Sequence, residues 1–188
     1  MPPRPREISS PKNPLVQRFR DAARGDLPDV LLAEGVRLVA EGLAEGIGVV
    51  DAAVSPAFTD SDMRQQLATR AQNFVECTDD VLQRLSQLET HQGLAVLFSK
   101  PKWQEAELLR GDLAPLVVVA AGVRDPGNLG SLLRTAEAAG ATGCLVMAGG
   151  ADPFRDKAVR GSMGSVFRLP TLHGFDAAAV IAFARRHA

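Results

Sequence analysis

The sequence has few of the residues that build metal centres or covalent cross-links. Its 188 residues include two cysteines and three histidines. Cys77 and Cys144 lie far apart, without the paired spacing of a zinc site or of a disulfide scaffold. This cysteine usage is typical of a protein in a reducing compartment. We therefore expect a cytoplasmic location and no metal site.

A long apolar run and a strong net charge are also missing. No apolar run approaches the length of about 20 residues that a membrane-spanning helix needs. The first four residues are not followed by the apolar stretch of a signal peptide, so we expect no membrane association. The formal net charge is −1, and any binding to nucleic acid must therefore rely on local basic patches.

The sequence does have enough apolar residues for a folded core, since 46% of it is hydrophobic. Short apolar runs alternate with stretches of helical periodicity, which predicts an α/β fold class. We predict a compact α/β/α domain over residues 1–99, a linker over 100–114 and a second domain with a parallel sheet over 115–188. Each domain is small, but the chain length allows two.

The most informative stretch is Asp125–Ala136, which lies between two apolar runs. The runs at 116–121 and 144–148 predict buried parallel strands. Asp-Pro-Gly-Asn predicts a tight turn between strand and helix, with Asn128 as the N-cap of the helix. The unit is therefore strand, glycine-rich turn, helix and strand.

In such units ligands bind at the carboxyl ends of the strands, where this turn lies. Arg134 is a permanent cation in the second turn of the predicted helix, with several donors for phosphate or hydroxyl oxygens. This indicates a phosphorylated or polyanionic substrate, although an exposed arginine on a helix is also typical of an ordinary solvated surface. The spacing matches neither a dinucleotide fingerprint nor a phosphate-binding loop.

Four further predictions concern the other segments. Thr78 is predicted to be the N-cap of a helix that contains Val81, Leu82 and Leu85. Val30–Leu32 is predicted to form a strand that leads into a helix, with Glu34 as a helix-start carboxylate favoured by the helix dipole. Val166–Leu169 is predicted to be the third core strand of the second domain. Phe175–Arg186 has helical spacing of apolar residues and is predicted to be a helix.

Two regions are locally basic. The first 24 residues form the most basic segment of the chain, and either an arm that contacts RNA phosphates or a solvated tail fits that pattern. The second region surrounds Lys157 and Arg160. It fits a wall of an RNA-binding cleft, but for each residue taken singly a solvated helix face is the favoured interpretation.

Four stretches resemble one known family. The pattern Asn-x-Gly-x-x-x-Arg-Thr-Ala over 128–136 resembles the first motif of the SpoU (TrmH-type) RNA 2′-O-ribose methyltransferases of the SPOUT superfamily. Residues 157–167 resemble the segment before that family's third core strand. Residues 10–14 and 33–39 resemble its RNA-binding N-terminal domain. The matches follow the family's order along nearly the whole chain.

The resemblance implies transfer of a methyl group from S-adenosylmethionine to a ribose 2′-hydroxyl of rRNA or tRNA. It assigns Arg134 and Asn128 to catalysis, and Gly127 and Gly130 to the structural turn at the site. It also implies a homodimer. The residues expected to contact RNA are basic and lie in the two basic regions: Arg4, Arg6, Lys12, Arg18, Lys157 and Arg160.

The family's second and third motifs do not occur in these 188 residues. The resemblance therefore covers the small N-terminal domain and the first half of an α/β-knot domain, and it assigns no residue to cofactor binding. We expect the 188-residue chain alone to be inactive or poorly behaved. Two other interpretations remain open: a non-catalytic RNA-binding module or inactive fragment, and an α/β domain that binds a small phosphorylated ligand at the Asn128 turn.

Overall fold

The computed structural model describes residues 6–10, 12–111 and 114–187. These residues fall into two compact units that divide between Lys100 and Pro101. The first unit contains a five-stranded sheet and the second a three-stranded sheet, each with helices around it. The α/β fold class predicted from the sequence is therefore confirmed.

The first unit alternates strands and helices. Its elements, in chain order, are β1 (Arg6–Ile8), α1 (Pro14–Arg24), β2 (Val30–Glu34), α2 (Val36–Ala44), β3 (Val49–Val54), α3 (Ser61–Arg70), β4 (Asn73–Cys77), α4 (Asp79–Leu85) and β5 (Leu94–Ser99). The strand order is β1-β4-β3-β5-β2. Strands β1, β4 and β3 are parallel, whereas β5 runs antiparallel to both β3 and β2.

Polar side chains fix where these helices begin. The Asn13 side chain accepts a hydrogen bond from the Leu15 N–H at the start of α1, at 3.0 Å. At the start of α4, the Thr78 hydroxyl accepts from the Val81 N–H at 3.3 Å. Each cap satisfies a backbone donor that has no partner within its helix. The N-cap predicted at Thr78 is confirmed.

Glu34 has a different place from the one predicted. It is the last residue of β2, paired with Ala95 of β5, and it is 4% exposed. Its carboxylate accepts a hydrogen bond from the Gln87 N–H at 3.0 Å. The N-cap of α2 is Gly35, whose positive φ of 87° turns the chain out of the strand. The prediction of a helix-start carboxylate was wrong because the β2–β5 pairing extends two residues beyond Leu32.

The second unit is built on three parallel strands in the order β6-β7-β8. Its elements are a 3-10 helix (Glu105–Leu109), β6 (Val117–Ala120), α5 (Pro126–Ala138), β7 (Gly143–Met147), α6 (Asp156–Ser162), α7 (Ser165–Arg168), β8 (Thr171–Phe175) and α8 (Ala177–His187). The strand, turn, helix and strand predicted around residue 128 are thus present.

The predicted third strand at Val166–Leu169 was wrong. The segment Ser165–Arg168 is the short helix α7, and the third strand is β8. Val166 and Phe167 are buried, as their apolar character requires, but the Leu169 N–H donates to the Ser165 carbonyl at 2.8 Å and closes a helical turn. A short apolar run predicts burial without distinguishing strand from helix.

Both thiols lie within strands of the cores. Cys77 in β4 is 4% exposed, and Cys144 in β7 is fully buried. Burial raises the pKa of Cys77 to about 11, and Asp79 adds to that shift. Burial also raises the pKa of Cys144 to about 11, against a backbone hydrogen bond at Ala120 that lowers it.

We expect neither thiol to react with Ellman's reagent at pH 8 in the folded protein, because the thiolate is the reactive form. Both should react at once in denaturant. The test is absorbance at 412 nm with and without urea. Rapid labelling of one thiol under native conditions would show that its strand opens or that its burial is incomplete.

Within the described ranges, no helix is long and apolar enough to cross a bilayer. The same ranges contain no group of three or more His, Cys, Asp or Glu side chains that could hold a metal ion.

Candidate active site

The helix that carries the first motif begins three residues earlier than predicted. The side chain of Asp125 accepts a hydrogen bond from the Asn128 N–H at 2.8 Å, so Asp125 is the N-cap of α5. Pro126 follows at the first helical position, where its missing N–H costs nothing. The prediction of Asn128 as N-cap was wrong, and Asp-Pro was the signal that could have located the true one. The side chain of Asn128 is exposed and does not serve as the cap.

Glycines let the backbones of α5 and α6 lie very close to each other where the two helices cross. A Cβ on Gly130 would lie 2.3 Å from the Ala158 carbonyl oxygen and 2.8 Å from the Ser162 nitrogen. A Cβ on Gly161 would lie 3.0 Å from the Gly127 carbonyl oxygen. Gly127 and Gly130 both lie in the first two turns of α5, and Gly130 allows a close approach to the backbone of α6, whereas a Cβ on Gly127 would meet the Asp125 side chain at 3.1 Å. The two motifs at 128–136 and 157–167 form one packed element pair.

An ion pair links the end of α5 to α7. Arg168 donates from Nε to the Glu137 carboxylate at 2.5 Å and from Nη2 at 3.2 Å. Burial alone would raise the pKa of Glu137. Hydrogen bonds from Arg168 and Ser165, together with the charge of Arg168, outweigh burial and lower that pKa.

This ion pair predicts an acid-dependent loss of stability. Because the folded-state pKa of Glu137 is lowered, its contribution is present above the unfolded-state pKa of 4.5 and is lost as the pH falls through the folded-state value. We expect Glu137→Gln to lose stability at pH 7 and to show a shallower decline below pH 4.5. Urea unfolding at several pH values tests this. Parallel pH profiles for the two proteins would contradict the assigned role.

Arg134 and Asn128 occupy the same helix but different faces. Six helical positions place their Cα–Cβ directions about 120° apart and about 9 Å along the axis. Both side chains are exposed, and neither hydrogen-bonds the other. Arg134 lies one turn beyond Gly130, beside the crossing with α6. The structure thus places both predicted residues on α5 without bringing their side chains together.

Two loops form the carboxyl edge of the sheet beside α5. The Ala151 N–H in the loop after β7 donates to the Val123 carbonyl in the loop after β6, at 2.8 Å. Gly122 and Gly149 face open space, since a Cβ on either would meet nothing within 4 Å. The two loops are therefore linked by a backbone hydrogen bond, and they leave open space at these two glycines.

The predicted RNA contacts have different surroundings. Arg4 lies outside the described residues, as does the side chain of Arg6, whose backbone belongs to β1. Lys12 is exposed. Arg18 donates from Nε to the Asp51 carboxylate at 2.7 Å, and Asp51 is 2% exposed. Arg18 therefore neutralises a buried charge within the first unit.

We expect Arg18→Ala to lower the free energy of unfolding by about 1–3 kcal/mol, because it leaves the Asp51 carboxylate buried with only a neutral donor, Asn73. The figure is below that for a fully buried pair because 43% of the Arg18 side chain is exposed. Urea unfolding measures it, with the exposed Arg37→Ala as the control. Equal stability of the two variants would show that the ion pair contributes nothing.

Lys157 and Arg160 both lie on α6. Lys157 is exposed, whereas Arg160 is partly buried and donates to the Asp156 carboxylate at 2.5 Å. Of these two side chains, that of Lys157 is therefore more accessible to an RNA phosphate.

Comparison with known proteins identifies two family segments in the chain. Residues 115–187 match the SpoU rRNA Methylase family, and residues 20–96 match an MRM3-like substrate binding domain. A crystal structure described as an RNA 2′-O ribose methyltransferase shares 33% identity and a TM-score of 0.73, over 96% of this chain and 70% of that one. The chain belongs to the SpoU family of RNA methyltransferases. The resemblance found in the sequence is thereby confirmed.

Two other similar proteins are named as rRNA methyltransferases. An AdoMet-bound rRNA methyltransferase from Sinorhizobium meliloti has a TM-score of 0.80 and 27% identity, over 96% of this chain and 68% of that one. The mitochondrial rRNA methyltransferase 3B of Danio rerio is 34% identical over 148 residues, which is 76% of this chain and 32% of the relative. The chain thus spans about a third of the length of that curated relative.

Proposed function

We propose that the protein transfers a methyl group from S-adenosylmethionine to a ribose 2′-hydroxyl of rRNA or tRNA. One observation carries the proposal: the exposed Arg134 and Asn128 lie on a helix at the open carboxyl edge of a parallel sheet. Glycines let that helix pack closely against α6, and the two helices carry the SpoU-family motifs at 128–136 and 157–167. In this proposal, residues 1–99 bind the RNA substrate, and residues 115–188 act on the ribose hydroxyl that accepts the methyl group.

Arg134 acts on the acceptor hydroxyl. A ribose 2′-hydroxyl is a weak nucleophile and must lose its proton as it attacks. Arginine keeps its own proton in proteins, so it is a poor general base. We assign to Arg134 the orientation of the hydroxyl and the stabilisation of the negative charge that develops on its oxygen. Asn128 lies about one and a half turns nearer the start of the helix. It contacts the RNA next to the reacting ribose, at a base or at the sugar–phosphate backbone.

S-Adenosylmethionine supplies the electrophilic methyl group in this reaction. A Cβ on Gly122 or Gly149 would meet nothing within 4 Å, so the described loops leave space beside them. The family resemblance assigns no residue of this chain to cofactor binding, and we assign none.

RNA binding in this proposal uses local positive charge. Among the predicted contacts whose side chains the structure describes, Lys12 and Lys157 are exposed, whereas the exposed Arg18 pairs with Asp51 and Arg160 pairs with Asp156. Because phosphate contacts release counterions, the affinity should fall steeply with salt. A homodimer and a cytoplasmic location, both predicted from the sequence, complete the proposal. Light scattering on the purified protein tests the dimer.

The first test is binding of the 188-residue chain to a transcribed rRNA fragment between 50 and 300 mM KCl, with a calorimetric titration of S-adenosylmethionine alongside. We expect salt-dependent RNA binding. S-adenosylmethionine binding in addition would place the cofactor site on this chain. RNA binding without methyl transfer by the protein from its complete natural gene would favour the non-catalytic module. No RNA binding at physiological salt would overturn the proposal.

A further inference from the structure

The first unit contains a pocket that the proposed reaction does not use. It has a volume of about 150 Å³ and lies where the parallel strands β1, β4 and β3 end. Glu7 comes from β1, Glu76 from β4 and Arg64 from α3, while Ser55 and Thr78 follow strands β3 and β4. A cavity of this volume takes one six-membered ring, and the pocket is partly open to solvent, so the rest of a larger ring system can project from it.

Two carboxylates share this pocket on neighbouring strands. Glu7 and Glu76 are register partners in the parallel β1–β4 ladder, so their side chains project from the same face of the sheet. Like charges directly opposite one another destabilise a sheet. Arg64 neutralises Glu76 through a 2.8 Å ion pair, and the pocket keeps a net charge of −1 among its lining residues. A ligand that donates hydrogen bonds would relieve this repulsion.

Arg64 is held rigidly at the wall of the pocket. Its Nη1 donates to Glu76, and its Nη2 donates to the carbonyl oxygens of Ser55 and Phe58, both at 3.0 Å. These bonds use three of the five N–H donors of a guanidinium. The Thr78 hydroxyl accepts the capping bond from Val81, which leaves its own proton available. The pocket therefore offers fixed donors beside its carboxylate acceptors.

The Ser55 hydroxyl indicates that a hydrogen-bond partner is lacking at this pocket. Ser55 is 1% exposed, and its oxygen has no hydrogen-bond partner among the described residues. A buried hydroxyl without a partner is costly. Because a serine hydroxyl rotates freely, a polar ligand in the pocket would give it a partner.

The mixture of acceptors and donors selects one ligand chemistry. A phosphate is disfavoured by the two carboxylates, and a metal ion is disfavoured by the adjacent guanidinium. We propose that this pocket receives one unstacked RNA base that carries both an amino donor and a carbonyl acceptor on its pairing edge, as cytosine and guanine do. The amino group donates to Glu7 or Glu76, and Arg64 or Thr78 donates to the carbonyl oxygen. Single-stranded RNA is commonly read in this way, through bases splayed out of the stack.

This proposal rests on the proposed RNA binding of the first unit, and its test separates the two. The probes are fluorescent octauridine and the same oligomer with one cytidine or one guanosine at its centre, titrated into the 188-residue chain with EDTA present. Cytosine and uracil have the same size, so their difference reports hydrogen bonding alone. We expect the substituted oligomers to bind about 10-fold more tightly, because the carboxylates accept from the amino group.

At least one of Glu7→Gln and Glu76→Gln should remove most of that preference, because the charged acceptor is lost. The exposed Glu89→Gln, which lies outside the pocket, should keep it. Circular dichroism confirms that each variant is folded. Equal binding of all oligomers, or a preference that survives both pocket variants, overturns this proposal and leaves the proposed function standing. A preference that requires Mg²⁺ also overturns it. Failure of every oligomer and of rRNA to bind overturns both proposals.

Discussion

Gly130→Ala is expected to destabilise the second unit by about 1–3 kcal/mol or more, although the same change in an ordinary helix is stabilising. An alanine in a helix interior is favoured over glycine by about 1 kcal/mol. At Gly130 the new methyl group would lie 2.3 Å from the Ala158 carbonyl oxygen and close to the backbone of Ser162. Backbone atoms cannot rotate away, so α5 and α6 must move apart, which is the cost of overpacking.

The only tryptophan of the sequence, Trp103, lies in the second unit and reports its unfolding by fluorescence. Ser131→Ala is the control, because Ser131 is the next residue on the same helix and is exposed. We expect Ser131→Ala to unfold at nearly the wild-type urea concentration and Gly130→Ala well below it. A Gly130→Ala protein as stable as wild type would show that the two helices are not packed this closely.

Arg134→Ala is expected to lower methyl transfer by at least about 100-fold. Removing one donor that stabilises a developing oxyanion has an effect of this size in other enzymes. The side chain is exposed and is not part of a buried contact, so stability should be unchanged. RNA affinity should fall little, since Arg134 is one cation among several. The measurement is the single-turnover rate of methyl transfer by the protein from its complete natural gene.

Two further variants sharpen the result. Arg134→Lys keeps the charge but loses the planar fork of donors, and we expect it to restore only a small part of the rate. Arg185→Ala on α8 removes an exposed arginine outside the proposed site and should transfer at the wild-type rate. An alanine variant at position 134 with full activity would remove the assigned role.

Sequence periodicity predicted most elements because local signals agreed with the final packing. The strands around residue 128 and the helix between them follow from two apolar runs and a turn, and Thr78 acts as the cap that its position indicated. The failures have physical causes. Val166 and Phe167 are buried inside a helical turn, which an apolar run of four residues cannot distinguish from a strand.

The surroundings of the site residues were harder to predict, because tertiary contacts determine them. The motif drew attention to Gly130, but a glycine that admits a neighbouring helix looks the same in sequence as one that admits a ligand. Arg18 is a basic residue in the basic N-terminal region, as an RNA contact would be. Its side chain nevertheless pairs with Asp51, 33 residues away in the sequence. The Glu7–Glu76 pair is equally non-local, because only the β1–β4 register brings the two carboxylates together.

The central claim is that this SpoU-family protein directs methyl transfer to a ribose hydroxyl through the Arg134 helix. The most direct test supplies the protein from its complete natural gene with tritium-labelled S-adenosylmethionine and rRNA, then digests the RNA to nucleosides. We expect label in a single 2′-O-methylnucleoside, whose neighbouring phosphodiester bond resists alkali, and at least about 100-fold slower labelling with Arg134→Ala. Label on a base, or RNA bound without any transfer, would contradict it.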